Sequence, residues 1–168
     1  MITQWQNIIW QQFGAAIDTL ENAIRACPES LWRDRSRKWE YWYWTYHTIF
    51  WLDYYLSESE STFEPPPGYT MSEMDPSGLM PERVYSQAEL LEYLEHCRNK
   101  CRAVISEMTD GTAHRPSVFR KGQLTEAELL MYGMRHVQHH SAQLNLVLRQ
   151  TIDSAPNWVS KAKRPLKD

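Results

Sequence analysis

Positive charge is in short supply. Eighteen Lys and Arg residues face 21 Asp and Glu, for a net charge of −3 and a pI near 6.1. That balance leaves no electrostatic footprint for DNA or RNA. The one basic cluster, Lys161, Lys163, Arg164 and Lys167, is too small to supply one. Cysteine is sparse as well. Cys27, Cys97 and Cys101 are an odd number, which argues against a secreted disulfide framework. Long apolar runs are missing. The longest uncharged stretch of the aromatic region, residues 41–52, has twelve residues, short of the ~20 that span a bilayer. Residues 1–10 lack a basic segment followed by an apolar run, so no secretory signal is expected. These absences predict a cytoplasmic, reducing location, with neither a membrane nor a nucleic acid as partner. Several catalytic signatures are absent too. There is no H-E-x-x-H, no G-x-G-x-x-G and no P-loop. No His has a Glu three positions before it, which removes the di-iron Glu-x-x-His pattern. A Ser or Cys nucleophile beside a base is not visible.

What remains is 168 residues, enough for one domain with a sizeable core. Hydrophobic residues make up 42% and charged residues 23%, which is ordinary globular usage. Eight Trp and nine Tyr are the compositional oddity. They suit a dense core, a ligand pocket or a partner surface.

Hydrophobic periodicity predicts four helices. The first covers residues 4–26, with a Thr3/Gln6 capping box and a stop at Cys27-Pro28. Its expected buried stripe is Trp5, Ile9, Phe13, Ala16, Leu20 and Ile24. The second is expected over residues 37–57 and is aromatic on every side, so it is central or covered by a partner. Such a composition also suits a strand, but the run is long and has no internal turn. Residues 61–85, rich in Pro and Gly, form a long loop with room for one helical turn. The third helix opens at a Ser86/Glu89 capping box and is expected to stop at Asp110-Gly111. Its stripe is Leu90, Leu94, Cys97, Cys101, Val104, Ile105 and Met108. The fourth follows a Thr125/Glu128 capping box and runs to about residue 150. The expected organisation is an all-α four-helix bundle over residues 1–152, with residues 153–168 as a C-terminal tail that Trp158 docks and that is otherwise loose.

The histidines carry the candidate chemistry. His136 and His140 lie four apart on the fourth helix, about 6 Å apart along its axis and roughly 40° apart around it. Two imidazoles so placed can grip one metal ion. His47, in the middle of the second helix, can add a third nitrogen if those helices pack together. Three His and an open position make a catalytic zinc site. Hydrogen-bonded core histidines share this spacing, so the residues alone leave a metal site and a core role both open.

The segment His136-Val137-Gln138-His139-His140-Ser141-Ala142-Gln143-Leu144 resembles the H-x-x-H-H-x-x-Q-L signature of the DinB-like (DNA-damage-inducible) superfamily. That family also places a His midway along its second helix, where His47 stands. The likeness spans about residues 3–150. It implies an up-down-down-up bundle with a long crossover between helices two and three. It also implies a His47, His136 and His140 triad holding a divalent metal, zinc or nickel. Some relatives are transferases and isomerases that use low-molecular-weight thiols such as bacillithiol or mycothiol, so a thiol is a candidate co-substrate. Many members carry Arg-Gly after the last His. This chain has Ser141-Ala142 there, which leaves the triad intact and removes any contact assigned to that Arg.

Other residues have two readings each. Gln143, one turn past His140, either orients a water or substrate or bonds the scaffold. Tyr43, Trp44 and Trp51 flank His47 and wall a pocket or pack the core. His139 points about 100° from His140 and reads as supporting or surface. His114 reads as solvated. Cys97, Cys101 and His96 resemble a second clamp, but the two thiols share the apolar stripe and read as small core residues. The expectation is a metal-dependent enzyme on a small molecule, by thiol transfer or hydrolysis. The alternatives are a non-catalytic metal-binding or stress-response module, or a metal-free bundle that forms a homodimer through its aromatic helix.

Overall fold

The computed structural model describes residues 2–119 and 123–167. Among them there are six α-helices and no strand. An isolated bridge pairs Pro116 with Thr125. Four helices are long: α1 (Gln4–Ala26), α3 (Tyr41–Tyr55), α4 (Gln87–Glu107) and α6 (Glu126–Ile152). Two are single turns, α2 (Glu29–Trp32) and α5 (Asp110–Ala113). α1 packs against α4 and α6, and α3 packs against the same two helices. One core joins all four. None of these helices is long and apolar enough to cross a membrane.

Local sequence sets most helix starts. Thr3, Ser86 and Thr125 each accept the backbone N–H three residues on, from Gln6, Glu89 and Glu128, whose side chains return the bond. Each box satisfies two of the orphan donors at a helix start. α3 begins later than periodicity predicts. Asp34 takes both the N–H and the hydroxyl of Ser36 and pairs with Arg37, which commits residues 34–37 to a turn. Glu40 then accepts the Trp42 indole N–H at 2.6 Å.

The Asp110-Gly111 stop is a correction. α4 ends at Glu107, and Met108 adopts an extended conformation that turns the chain. Thr109 caps a new turn by accepting from Thr112 N, so Asp110 opens α5, where a carboxylate suits the helix dipole.

The α1 stripe also needs correcting. Trp5 is 71% exposed and Ile9 half-buried. The buried stripe runs through Gln6, Trp10, Phe13, Ile17, Leu20 and Ile24. Gln6 turns inward because its amide donates to the carbonyls of Ser106 (2.8 Å) and Met108 (3.0 Å) at the end of α4. A polar residue in an apolar position is tolerable when fully bonded.

The tail departs furthest from expectation. Trp158 is 75% exposed and docks nothing. Residues 162–166 do the docking. Ala162 N–H donates to Gln11 O (2.9 Å), Lys163 N–H to Asp18 Oδ2 (2.7 Å), and Trp10 Nε1–H to Arg164 O (2.8 Å). Leu166 is buried, and its carbonyl accepts from Arg102. Beneath this strap Arg98, 1% exposed, pairs with Asp18 at 2.5 Å and Glu21 at 2.6 Å. The backbone of the tail supplies what a helical bundle rarely offers, a free N–H for the carboxylate of a buried ion pair.

The 61–85 loop holds one 3₁₀ turn, Ser72–Met74. Tyr46 and Tyr69 donate their hydroxyls to Thr70 O and Glu89 O, both at 2.5 Å, and Phe63 and Tyr85 are buried. These anchors lay the 3₁₀ turn beside α3.

Candidate metal centre

α3 and α6 face each other across His47, His136 and His140. Ring centroids lie 5.4 Å apart for His47 and His136, 4.9 Å for His47 and His140, and 4.5 Å for His136 and His140. One nitrogen from each ring lies within 4.8 Å of the others. The helical repeat puts His136 and His140 on one face of α6, and antagonistic packing of bulky α3 aromatics around His47 keeps the third ring turned toward them.

The outer nitrogens are largely committed. His47 Nδ1 donates to Glu73 Oε2 at 2.7 Å, and His140 Nδ1 donates to Gln143 Oε1 at 2.7 Å. A carboxylate can only accept, so His47 carries a proton on Nδ1. His136 Nδ1 is buried with no hydrogen-bond partner. Burial, with the neighbouring imidazoles His140, His47 and His139, pushes His136 down to about 3. Burial also pushes His140 down to about 4, against the bond to Gln143. Both rings are neutral at physiological pH, which is the state that can donate to a cation.

Glu73 comes from the 3₁₀ turn and is 4% exposed. Burial works to raise its carboxyl. The bonds from His47, Tyr43 and Trp51 overcome that and hold it below the usual carboxylate range. A carboxylate behind a ligand imidazole fixes the ring and raises its basicity.

A cleft of about 510 Å³ opens beside the three rings. It is lined by Trp39, Tyr43, Trp44, Trp51, Tyr55, Tyr132 and Glu73 together with the histidines. Trp44 packs 4.7 Å from His140, and Tyr55 lies 5.9 Å from His136. Burial and the Glu73 carboxylate push the Tyr43 phenol up, so it stays protonated.

The sequence-derived candidates fall in different places. Tyr43, Trp44 and Trp51 are half-buried and line the cleft. Gln143 is exposed and bonds His140. His139 is exposed and lies outside the cleft, in a shallow groove with Arg135 and Gln138. His96 is exposed, whereas Cys97 and Cys101 are buried in the core, where burial pushes both thiols up and keeps them protonated. His114 is exposed at the end of α5. Among the described residues the three-His group is the one cluster of metal-ligating side chains with this closeness.

Sequence reasoning missed Glu73, Trp39, Tyr55 and Tyr132. Tyr132 precedes His136 by four residues, so helical spacing carried a signal for it. Glu73 had none, because loops have no period. Chemically, three imidazoles bring no negative charge to offset a bound cation, and one side of the group opens on the cleft.

No curated protein matches the chain, and no solved structure matches it. A protein-family model described as the DinB superfamily matches residues 12–144. That span takes in α3, α4, the 3₁₀ turn and all three clustered histidines, and most of the chain's length: this protein belongs to the DinB superfamily.

Proposed function

We propose that His47, His136 and His140 hold one divalent metal ion, and that the protein is a metal-dependent enzyme acting on a small molecule in the adjoining cleft. The observation that carries this reading is the convergence of three nitrogens within 4.8 Å at the wall of an open cleft. The donor set fits the ion. Two of the rings stay neutral far below neutral pH, and the buried Nδ1 of His136 lacks a partner. Imidazole suits zinc and nickel. A bound divalent ion supplies Lewis acidity, which can activate either a water or a thiol. The reaction is accordingly hydrolysis or transfer to a thiol. The chain's own residues prepare it. Glu73 holds the proton of His47 at Nδ1, and Gln143 does the same for His140. Trp44 and Trp51 exclude water from two sides of the rings.

We also infer an up-down-down-up four-helix bundle. Contacts between helix ends support it. Gln6 bonds the end of α4, and Gln87 at the start of α4 bonds Ile24 O and Cys27 O at the end of α1. Tyr41 at the start of α3 bonds Ala23 O. Ile49 meets Cys97 and Asp53 meets Lys100, so α3 and α4 run together. Trp44 meets His140 and Tyr55 meets Tyr132, so α3 and α6 run oppositely.

The test is elemental analysis of tag-free protein beside His47→Ala, His136→Ala and His140→Ala. About one equivalent of a divalent metal in the wild type, lost from each variant while helicity persists, is expected. No metal after reconstitution would sink the reading, and loss of helicity together with the metal would mark the site as structural.

A further inference from the structure

The lining of the cleft specifies what can occupy it. Of its ten residues, six are Trp or Tyr and three are His. The tenth, Glu73, is the one formally charged group. Among the described residues, no Lys or Arg lines the cleft. Lys38 sits over the Trp39 ring at 5.3 Å, and Arg135 lines the shallow groove on the other side of His136.

The rings stand on opposite sides of the imidazoles. Trp44 packs against His140 and His47, with Trp39 beyond it at 5.2 Å. Trp51 lies 6.3 Å from His47, and Tyr55 joins Trp51 to Tyr132 on the far side. Aromatic faces and edges at these spacings favour another ring over an aliphatic group of equal area by ~0.5–1.5 kcal/mol. The Glu73 carboxylate is buried, with the Tyr43 phenol against it. It can accept from a neutral O–H or N–H, and it repels a second anion.

We propose that the cleft takes uncharged aromatic small molecules that carry a thiol or hydroxyl, and that it discriminates against carboxylate-bearing analogues. The proposal rests on the metal-site reading for the role of the thiol or hydroxyl, and on the lining alone for the ring and the charge. An anionic substrate would need a basic side chain to replace its hydration, and the described lining offers none. The walls instead give a flat neutral ring contact on both sides. A cavity of this size holds one such ring with substituents.

Two thiols of one shape, 4-methylbenzyl mercaptan and 4-(mercaptomethyl)benzoate, differ by a methyl against a carboxylate. Cyclohexylmethanethiol removes the aromaticity. Each is titrated by calorimetry into tag-free protein, both zinc-loaded and metal-free, with zinc content measured on the same samples. The methyl compound should bind at least tenfold more tightly than the benzoate, and about threefold or more above the cyclohexyl compound. Trp44→Ala, with helicity retained, should lose at least fivefold for the methyl compound and little for the cyclohexyl one. Equal or tighter binding of the benzoate overturns the proposal, as does equal binding of the cyclohexyl thiol. If zinc does not load, the metal reading fails on its own measurement. The order of the three probes on the metal-free protein then decides the cleft's preference, and no binding by any of them also overturns it.

Discussion

Gly14 gives a test in which the two competing effects have opposite signs. It lies inside α1, where Ala is better than Gly by about 1 kcal/mol. With no strap over α1, Gly14→Ala would stabilise the protein by that amount. The structure predicts the reverse. A Cβ on Gly14 would lie 2.5 Å from the Ala162 Cβ and 3.1 Å from Trp10 Cζ2. Trp10 is fully buried and is tied through its indole to Arg164 O, so it cannot swing aside. The strap must withdraw by about 1 Å to restore ordinary contact. Such a shift carries the 2.9 Å bond from Ala162 N to Gln11 O past hydrogen-bond range. It also loosens the bond from Lys163 N to the buried Asp18 carboxylate. Overpacking of this kind costs about 1–3 kcal/mol. After the helix gain, the net expectation is a loss of about 0–2 kcal/mol, or a Tm lower by up to roughly 8 °C. Urea unfolding of Gly14→Ala, Ala162→Gly and the double variant measures it. The double variant removes the opposing Cβ and should recover most of the loss. A Gly14→Ala protein more stable than wild type would refute the strap.

Three further outcomes follow from the same contacts. Arg98→Ala strands the Asp18 carboxylate in the core and should cost about 3–5 kcal/mol in urea unfolding. Adding Asp18→Ala should return part of it, and a single variant within 1 kcal/mol of wild type would contradict the buried pair. Glu73→Ala removes the group that holds His47, so zinc affinity should fall about 10- to 100-fold in competition with a chromophoric chelator. Unchanged affinity would exclude Glu73 from the site. The metal-free protein should lose stability on acidification. His136 and His140 titrate near 3 and 4 when folded and near 6.5 when unfolded, so the unfolded chain binds more protons between those values. Their contribution is complete above pH 6.5 and declines as pH falls toward 3. Urea midpoints that stay flat between pH 6.5 and 5, above the carboxylate range, would refute those shifts.

Features written in neighbouring residues were legible in the sequence. The three capping boxes and the Cys27-Pro28 stop need only residues three or four apart, and each stands where the spacing placed it. His136 and His140 share a face because the helical repeat dictates it, and the packing of α3 on α6 brings His47 to them. Features that depend on distant partners were not legible. Trp5 looked buried because its bulk fits the apolar period. Gln6 took the inward position because two carbonyls a hundred residues away needed a donor. The Asp110-Gly111 pair carries the composition of a helix stop, yet a threonine beside it makes a better start. Glu73 belongs to a loop whose course is fixed by Tyr46 on α3 and by its own Tyr69 bonding α4, so no local pattern pointed to it. The tail looked loose because its docking uses main-chain atoms, which no side-chain pattern reports.

The strap imposes an order on biosynthesis. Asp18 and the Lys163 N–H that bonds it are 145 positions apart. All four long helices leave the ribosome before residues 162–166 do. Until then the Trp10 indole, the second oxygen of Asp18 and the shallow channel over Gly14 stay wet. A nascent chain can close its helices around the histidines while the α1 flank of the core is still bare.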